Sequence, residues 1–325
     1  MSEPPSVAGA WNDYWRHTRE AAAHKGGGPQ DEVLARFWTS YFADAYARSS
    51  HPRLIDVGCG NGSVPSFALD ASKPPLDRLP ALVGVDNSFA ALRAFSARFP
   101  AAAAVAADAS RLPFRDCQFD IVTSQFGVEY AGLEAIEEAA RLVSTGGSLA
   151  LIMHLKGGAM YRECETNLEA ARALQRSRLL SFLKEIFEAG TAAAPRSVDG
   201  SNAEDGRARL VQAMREVEAA LNTYGKEIAG GALYRVHEDV AHMHRRRDAY
   251  APEEVVHWVN AMTREFDAYA ERMSAMLDAA IDDQDFDACL TRLTAQSLAP
   301  RVRDKLEMGV RHREPAAWVL VCDRP

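Results

Sequence analysis

The sequence predicts an α/β fold built on a doubly wound, mostly parallel sheet with N-terminal helices and a large helical insertion. Three observations carry that expectation. Short apolar runs alternate with stretches of helical period over residues 53–156, a glycine cluster follows the first run directly, and an apolar run returns at the C-terminus after a long helical stretch. With 47% hydrophobic and 25% charged residues in a chain of 325, a core of ordinary size is available.

Taken in order, the aromatic residues Trp11, Tyr14, Trp15, Phe37, Trp38, Tyr41, Phe42 and Tyr46 recur at three- and four-residue spacings. Gly26-Gly27-Gly28-Pro29 interrupts them, so two amphipathic helices are expected in an N-terminal segment 1–52. Leu54 to Val57 and Leu82 to Val85 read as buried parallel strands, followed by runs at Ala103 to Ala107, Phe119 to Thr123 and Ser148 to His154. Ser63 to Leu69, Ser88 to Phe99 and Leu133 to Val143 are the intervening helices. From Gly157 the pattern becomes helical, at Tyr161 to Glu188, Ala203 to Ile228, Pro252 to Ala280 and Phe286 to Ala299. Ala316 to Cys322 is again a strand, with a weaker one around Met308 to Arg313. The expected organisation is therefore a core of residues 53–156 and 305–325, with residues 157–304 as a helical cap. The stretch from Ala192 to Gly206 reads as a loop.

The residues that carry chemistry begin with Asp56-Val57-Gly58-Cys59-Gly60-Asn61-Gly62. Glycines at such a turn let the backbone bend tightly and approach a ligand. Asp86 ends the second strand, followed by Asn87, where a carboxylate can accept the hydroxyl hydrogens of a ribose. Asp108, with Ala109 beside it, follows the third strand, and Asp120 opens the fourth.

In this order the motifs resemble those of class I S-adenosylmethionine-dependent methyltransferases, of the small-molecule type that includes ubiquinone and menaquinone C-methyltransferases. The resemblance covers about Arg53 to Leu155 and the last strand, and it implies a Rossmann-like core. It implies that Asp56, Gly58, Gly60 and Gly62 cradle the methionine and ribose portions of S-adenosyl-L-methionine. By the same resemblance, Asp86 holds the ribose hydroxyls and Asp108 bonds the adenine amine. Leu112-Pro113-Phe114, Phe119 to Val122 and Thr145-Gly146-Gly147 continue the match. The loop Ser124 to Tyr130 points to the methyl donor in that family, which makes Gln125 and Phe126 candidates for the methionine side. Glu129 and Tyr130 are candidates for facing acceptor or cofactor, and His154, at the end of a strand, is a candidate base.

A nicotinamide dinucleotide reading fits the spacing less well. Its fingerprint is Gly-x-Gly-x-x-Gly, whereas the third glycine here comes one residue early. Asp56 would repel a pyrophosphate, while beside a sulfonium its charge is favourable. A catalytically silent binding protein on the same fold is the other alternative. The loop after the fourth strand lacks the Asp/Asn-Pro-Pro-Tyr of many amino-group methyltransferases, which favours oxygen or carbon over nitrogen, on a small-molecule acceptor. Tyr14-Trp15 is expected to complete the pocket, and the helical cap to set acceptor choice.

The formal charge of -8 argues against a nucleic-acid partner. Five scattered cysteines with no C-x-x-C pair suggest neither a zinc cage nor a disulfide framework. His237, Glu238, Asp239, His242 and His244 precede Arg245-Arg246-Arg247, but no two histidines are four apart, so a solvated face is expected and no metal. With no apolar run long enough to span a bilayer and no leader pattern at Met1 to Ala10, the expected location is cytoplasmic.

Overall fold

A computed structural model describes residues 7–17, 29–48, 51–71, 80–189, 201–309 and 313–325. Within them the chain divides into two compact units. One holds Val7–Arg162 and Ala275–Pro325, the other Glu163–Ser274.

The first unit is the sheet unit. Helices α1 (Val7–His17) and α2 (Pro29–Arg48) lead into β1 (Arg53–Val57), α3 (Ser63–Ala71), β2 (Ala81–Asp86), α4 (Phe89–Arg98) and β3 (Ala103–Ala106). Strand β4 (Phe119–Gln125), α5 (Leu133–Arg141) and β5 (Val143–His154) follow. Seven strands run in the order β3-β2-β1-β4-β5-β7-β6, with β6 at Ala299–Met308 and β7 at Glu314–Asp323. Strands β1 to β5 are parallel to one another, and β7 is antiparallel to both β5 and β6. The doubly wound, mostly parallel sheet expected from the alternation is present.

Successive residues of a strand face opposite sides, and the apolar runs supply both sides. Ile55, Val122, Leu149, Leu151 and Leu320 pack with α5 on one side. Leu54, Ile121, Ala150, Ile152, Val319 and Val321 pack on the other, with Trp38 and Phe42 of α2 and Phe95 of α4. Ser88 caps α4, its hydroxyl accepting from Ala91 N–H at 3.2 Å. Asp120, singled out at the start of the fourth strand, is structural. Arg53 holds it at 2.8 and 3.1 Å at the amino ends of β1 and β4, and this pulls its carboxyl down to about 2.

Two elements differ from the expectation for the insertion. Helix α11 (Asp283–Ala295) belongs to the sheet unit, because Phe286, Cys289 and Leu293 face the β-sheet side covered by α5, and the Phe286 ring stacks 4.0 Å from Trp318. Strand β6 begins at Ala299, not near Met308, where it ends. Its Arg301, Arg303 and Lys305 lie on a largely exposed edge, so it lacks the apolar run that marks a buried strand.

The second unit is helical. It contains most of α6 (Ala159–Ser177) and α10 (Pro252–Ala279), with α7 (Leu179–Ala189), α8 (Ser201–Tyr224) and α9 (Ala232–Arg245) between them. Leu174, Leu183, Leu210, Val217, Val236, Val240, Val259 and Phe266 are in its core. The run read as one helix from Tyr161 to Glu188 is two, separated at Arg178, whose φ is +56°. The loop expected from Ala192 is outside the described residues up to 200, and from Ser201 the chain is helical.

Candidate functional site

The turn after β1 is made by backbone conformations that suit glycine. Gly58 has φ +68° and Gly60 has φ +54°. A Cβ on Gly58 would lie 2.8 Å from Gly127 Cα, and one on Gly60 would lie 2.8 Å from Trp15 Cζ2. The glycine turn is thus pressed between the loop after β4 and the N-terminal helix α1. Gly62 instead makes room for the Phe99 ring, a packing role beside the one its motif implies.

Two carboxylates flank this turn at the carboxyl ends of adjacent strands. Asp86 accepts from Gly60 N–H and from Ser88 N–H, both at 2.8 Å, which ties β2 to the turn. Burial holds its carboxyl above the usual range, and those N–H groups oppose the rise. Asp56 is 2% exposed, and burial pushes it from 3.8 to about 8, against a 2.8 Å bond from Thr123 Oγ1. Among the described residues, neither carboxylate accepts from a basic side chain. Arg98 instead reaches the Gly62 carbonyl at 3.5 Å. Asn87 is exposed beside Asp86, and burial keeps the thiol of Cys59 protonated.

Asp108 and Ala109 follow β3, the next strand along. The Asp108 side chain is exposed, and one oxygen accepts from Ser110 N–H at 2.9 Å and from its hydroxyl at 2.8 Å, lowering its pKa. Asp56, Asp86 and Asp108 therefore lie along one edge of the sheet, outside the carboxyl ends of β1, β2 and β3, where open α/β sheets bind ligands.

The loop after β4 closes the site. Ser124 Oγ donates to Val57 carbonyl at 2.6 Å and accepts from Val128 N–H at 3.0 Å, which fastens the loop to β1. Gln125 receives a 2.6 Å bond from Trp38 Nε1 of α2. Phe126 has φ +53°, a sparsely populated conformation for a bulky residue, and its ring centroid is 4.6 Å from that of His154. Glu129 Oε1 accepts from His154 Nδ1 at 2.8 Å and from His154 N–H at 3.0 Å. The Tyr130 ring meets His154 edge-on at 5.7 Å and Trp11 of α1 at the same distance. Asn12 Oδ1 accepts from Ala90 N–H at 3.0 Å, a second attachment of α1 to this edge.

Hydrogen bonds join Asp86 to the glycine turn, and ring and hydrogen-bond contacts join Phe126, Glu129, Tyr130 and His154, but the part expected of one residue changes. Glu129 was expected to face acceptor or cofactor directly. It is 4% exposed and bonded to His154, because its short 3₁₀ turn, Val128–Ala131, points inward beneath the end of β5. Sequence reading gave no site role to Trp38, Thr123 or Asn12, and named Ser124 only as the start of the loop to Tyr130. Only the helical spacing of the aromatics hinted at the first, and nothing local marks the others. The histidines at 237, 242 and 244 lie on α9 in the helical unit, and Arg245 to Arg247 are exposed. Among the described residues, no three His, Cys, Asp or Glu side chains form a cluster that could hold a metal ion, and no helix is long and apolar enough to cross a membrane.

Comparison with known proteins places this site in context. Residues 55–151 match the family model of a methyltransferase domain. Demethylmenaquinone methyltransferase of Renibacterium salmoninarum is 31% identical over 118 residues, covering 36% of this chain and 47% of that protein. The enzyme of the same name from Beutenbergia cavernae is 30% identical over 155 residues, covering 46% and 58%. The chain thus spans about half the length of these curated relatives. A solved S-adenosylmethionine-dependent methyltransferase from Mesorhizobium loti is 19% identical, with TM-score 0.31, over 38% of this chain and 56% of that one. Over residues 55–151 this chain is similar to a methyltransferase domain, and those residues lie in a sheet of order β3-β2-β1-β4-β5-β7-β6.

Proposed function

We propose that the protein is an S-adenosylmethionine-dependent methyltransferase that transfers a methyl group to oxygen or carbon of a small-molecule acceptor. The observation that carries the reading is the donor set at the glycine turn. Among the described residues, two carboxyl groups, Asp56 and Asp86, stand at a tight backbone turn with no basic side chain bonded to either. That set suits ribose hydroxyls and a cation whose charge draws the proton from Asp56. The names of the curated relatives support a small, ring-bearing acceptor.

When bound, the cofactor supplies a methyl group activated by its sulfonium. The chain's own contribution is alignment and exclusion of water. Asp86 keeps an oxygen lone pair on each side for ribose hydroxyls, Asp108 faces outward for an adenine amine, and Gly58 and Gly60 allow close approach of the backbone. Gln125, oriented by Trp38, and Phe126 line the methionine side.

Calorimetric titration with S-adenosylmethionine and its demethylated product tests the reading, with NADH as control. Micromolar binding, about 8 kcal/mol, is expected for the wild type, and Asp86→Asn is expected to weaken it by about tenfold or more through loss of charge-assisted hydrogen bonds. A folded protein that binds NADH, or neither ligand, would contradict it.

A second expectation concerns protons. With its pKa raised to about 8, Asp56 keeps its proton in the folded state where an unfolded chain, near 3.8, has lost it. Its contribution to stability is therefore complete below about pH 4 and is lost as pH rises towards 8. A cation bound beside it favours the ionised form, so binding at pH 7 should release up to about one proton. Titration in buffers of different ionisation enthalpy measures this, and Asp56→Asn should abolish it. An unchanged proton count in that variant would show that another group is responsible.

A further inference from the structure

We infer that Glu129 and His154 form a proton-accepting dyad, in which His154 Nε2 removes the proton of a hydroxyl acceptor and Glu129 positions the ring. This deepens the methyltransferase reading and rests on it. The side chains of Glu129 and His154 are 1% and 5% exposed. A carboxylate can only accept, so the 2.8 Å contact to Glu129 Oε1 places the proton of the neutral ring on Nδ1 and leaves Nε2 with a lone pair. The second bond to Oε1, from the backbone N–H of the same histidine, fixes carboxylate and ring to one another. Among the described residues, Glu129 Oε2 is buried with no hydrogen-bond partner, so the side chain's polar contacts are all to His154.

The ring is also fixed from its other sides. Phe126 packs at 4.6 Å and Tyr130 meets it edge-on at 5.7 Å. Trp11 in turn meets Tyr130 edge-on, again at 5.7 Å. Among the described residues, no hydrogen bond engages Nε2. His154 ends β5 at the carboxyl edge of the sheet, and the loop that holds its partner carries Gly127, which lies against Gly58 of the turn. The base therefore stands one loop away from where the methyl donor is proposed to bind, in aromatic surroundings that suit a flat phenol.

In the step itself, the acceptor O–H bond breaks and its proton passes to Nε2. A lone pair of the oxygen forms the new bond to the methyl carbon, and the methyl–sulfur bond breaks with its electron pair going to sulfur. The products are a methyl ether, the neutral thioether and the His154 imidazolium bonded to Glu129, which returns its proton to water. A hydroxyl that is protonated at neutral pH needs this help, whereas a thiolate does not.

The test uses the full chain, with catechol and thiophenol as probe acceptors and with His154→Gln and Glu129→Gln variants. In the wild type without ligand, nitrogen-15 NMR of the histidine side chains should show His154 protonated at Nδ1 and bare at Nε2. Both variants should lower kcat for catechol by about 100-fold or more, with KM unchanged and the base-dependent limb of the pH profile lost. Transfer to thiophenol should fall much less than transfer to catechol. A ring protonated at Nε2, an equal loss with both acceptors, or bound cofactor with catechol left unmethylated would each overturn the dyad. Absence of cofactor binding would overturn the reaction itself, and the NMR signal tells these failures apart.

Discussion

Gly58→Ala is expected to abolish measurable cofactor binding and to destabilise the sheet unit by about 2–5 kcal/mol. About 1–2 kcal/mol comes from holding a side chain in the left-handed region, and about 1–3 kcal/mol from inserting a methyl into a filled space. The space is filled by backbone. The new Cβ would lie 2.8 Å from Gly127 Cα and 3.2 Å from its carbonyl carbon, so no rotamer change relieves the contact. Relief requires the turn and the loop after β4 to separate, and that displaces both the cradle and the loop bearing Phe126 and Glu129. Gly157→Ala is the control, since its φ is also positive at +72° but nothing lies within 4 Å of its Cβ. It should show the conformational cost alone. Urea unfolding and calorimetric titration of both variants decide the matter, and equal losses in the two would remove the close approach from the explanation.

Trp38→Ala is expected to cost about 3–5 kcal/mol, the range for emptying a large buried aromatic site. Trp38 is fully enclosed, stacks on Phe42 with centroids 5.7 Å apart, and donates to Gln125. The functional consequence is separable from the structural one. Trp38→Phe keeps most of the packing and removes only the N–H, so it should lose about 0.5–1.5 kcal/mol of stability while leaving Gln125 without its fixed orientation. Chemical denaturation measures the first effect and cofactor titration the second. If Trp38→Phe binds S-adenosylmethionine as tightly as the wild type, Gln125 orientation does not matter to the site.

Much of the core was legible because its signals are local. Leu54 to Val57 and Leu82 to Val85 alternate with helical stretches, and a parallel sheet buried on both sides leaves such apolar runs. The glycine turn was legible because a tight backbone turn needs glycine in the same few positions in any chain that makes it. The insertion was read less well. Strand β6 is polar on an exposed edge, and α9 was masked by its charged His and Arg residues, although Leu233, Val236, Val240 and Met243 hold it in the helical core.

The sequence by itself determined the alternation of strands and helices over residues 53–156, the glycine turn from Asp56 to Gly62, the acid at the end of β2, and the residue types of the loop after β4. Those follow from spacing along one chain. Only the tertiary structure decided that Glu129 and His154, 25 residues apart, are bonded, that Trp38 orients Gln125 from 87 residues away, and that Asp56 is enclosed enough to hold its proton near neutral pH. Each depends on what packs against a side chain from a distant part of the chain, and therefore on desolvation and on hydrogen-bond partners that only folding supplies.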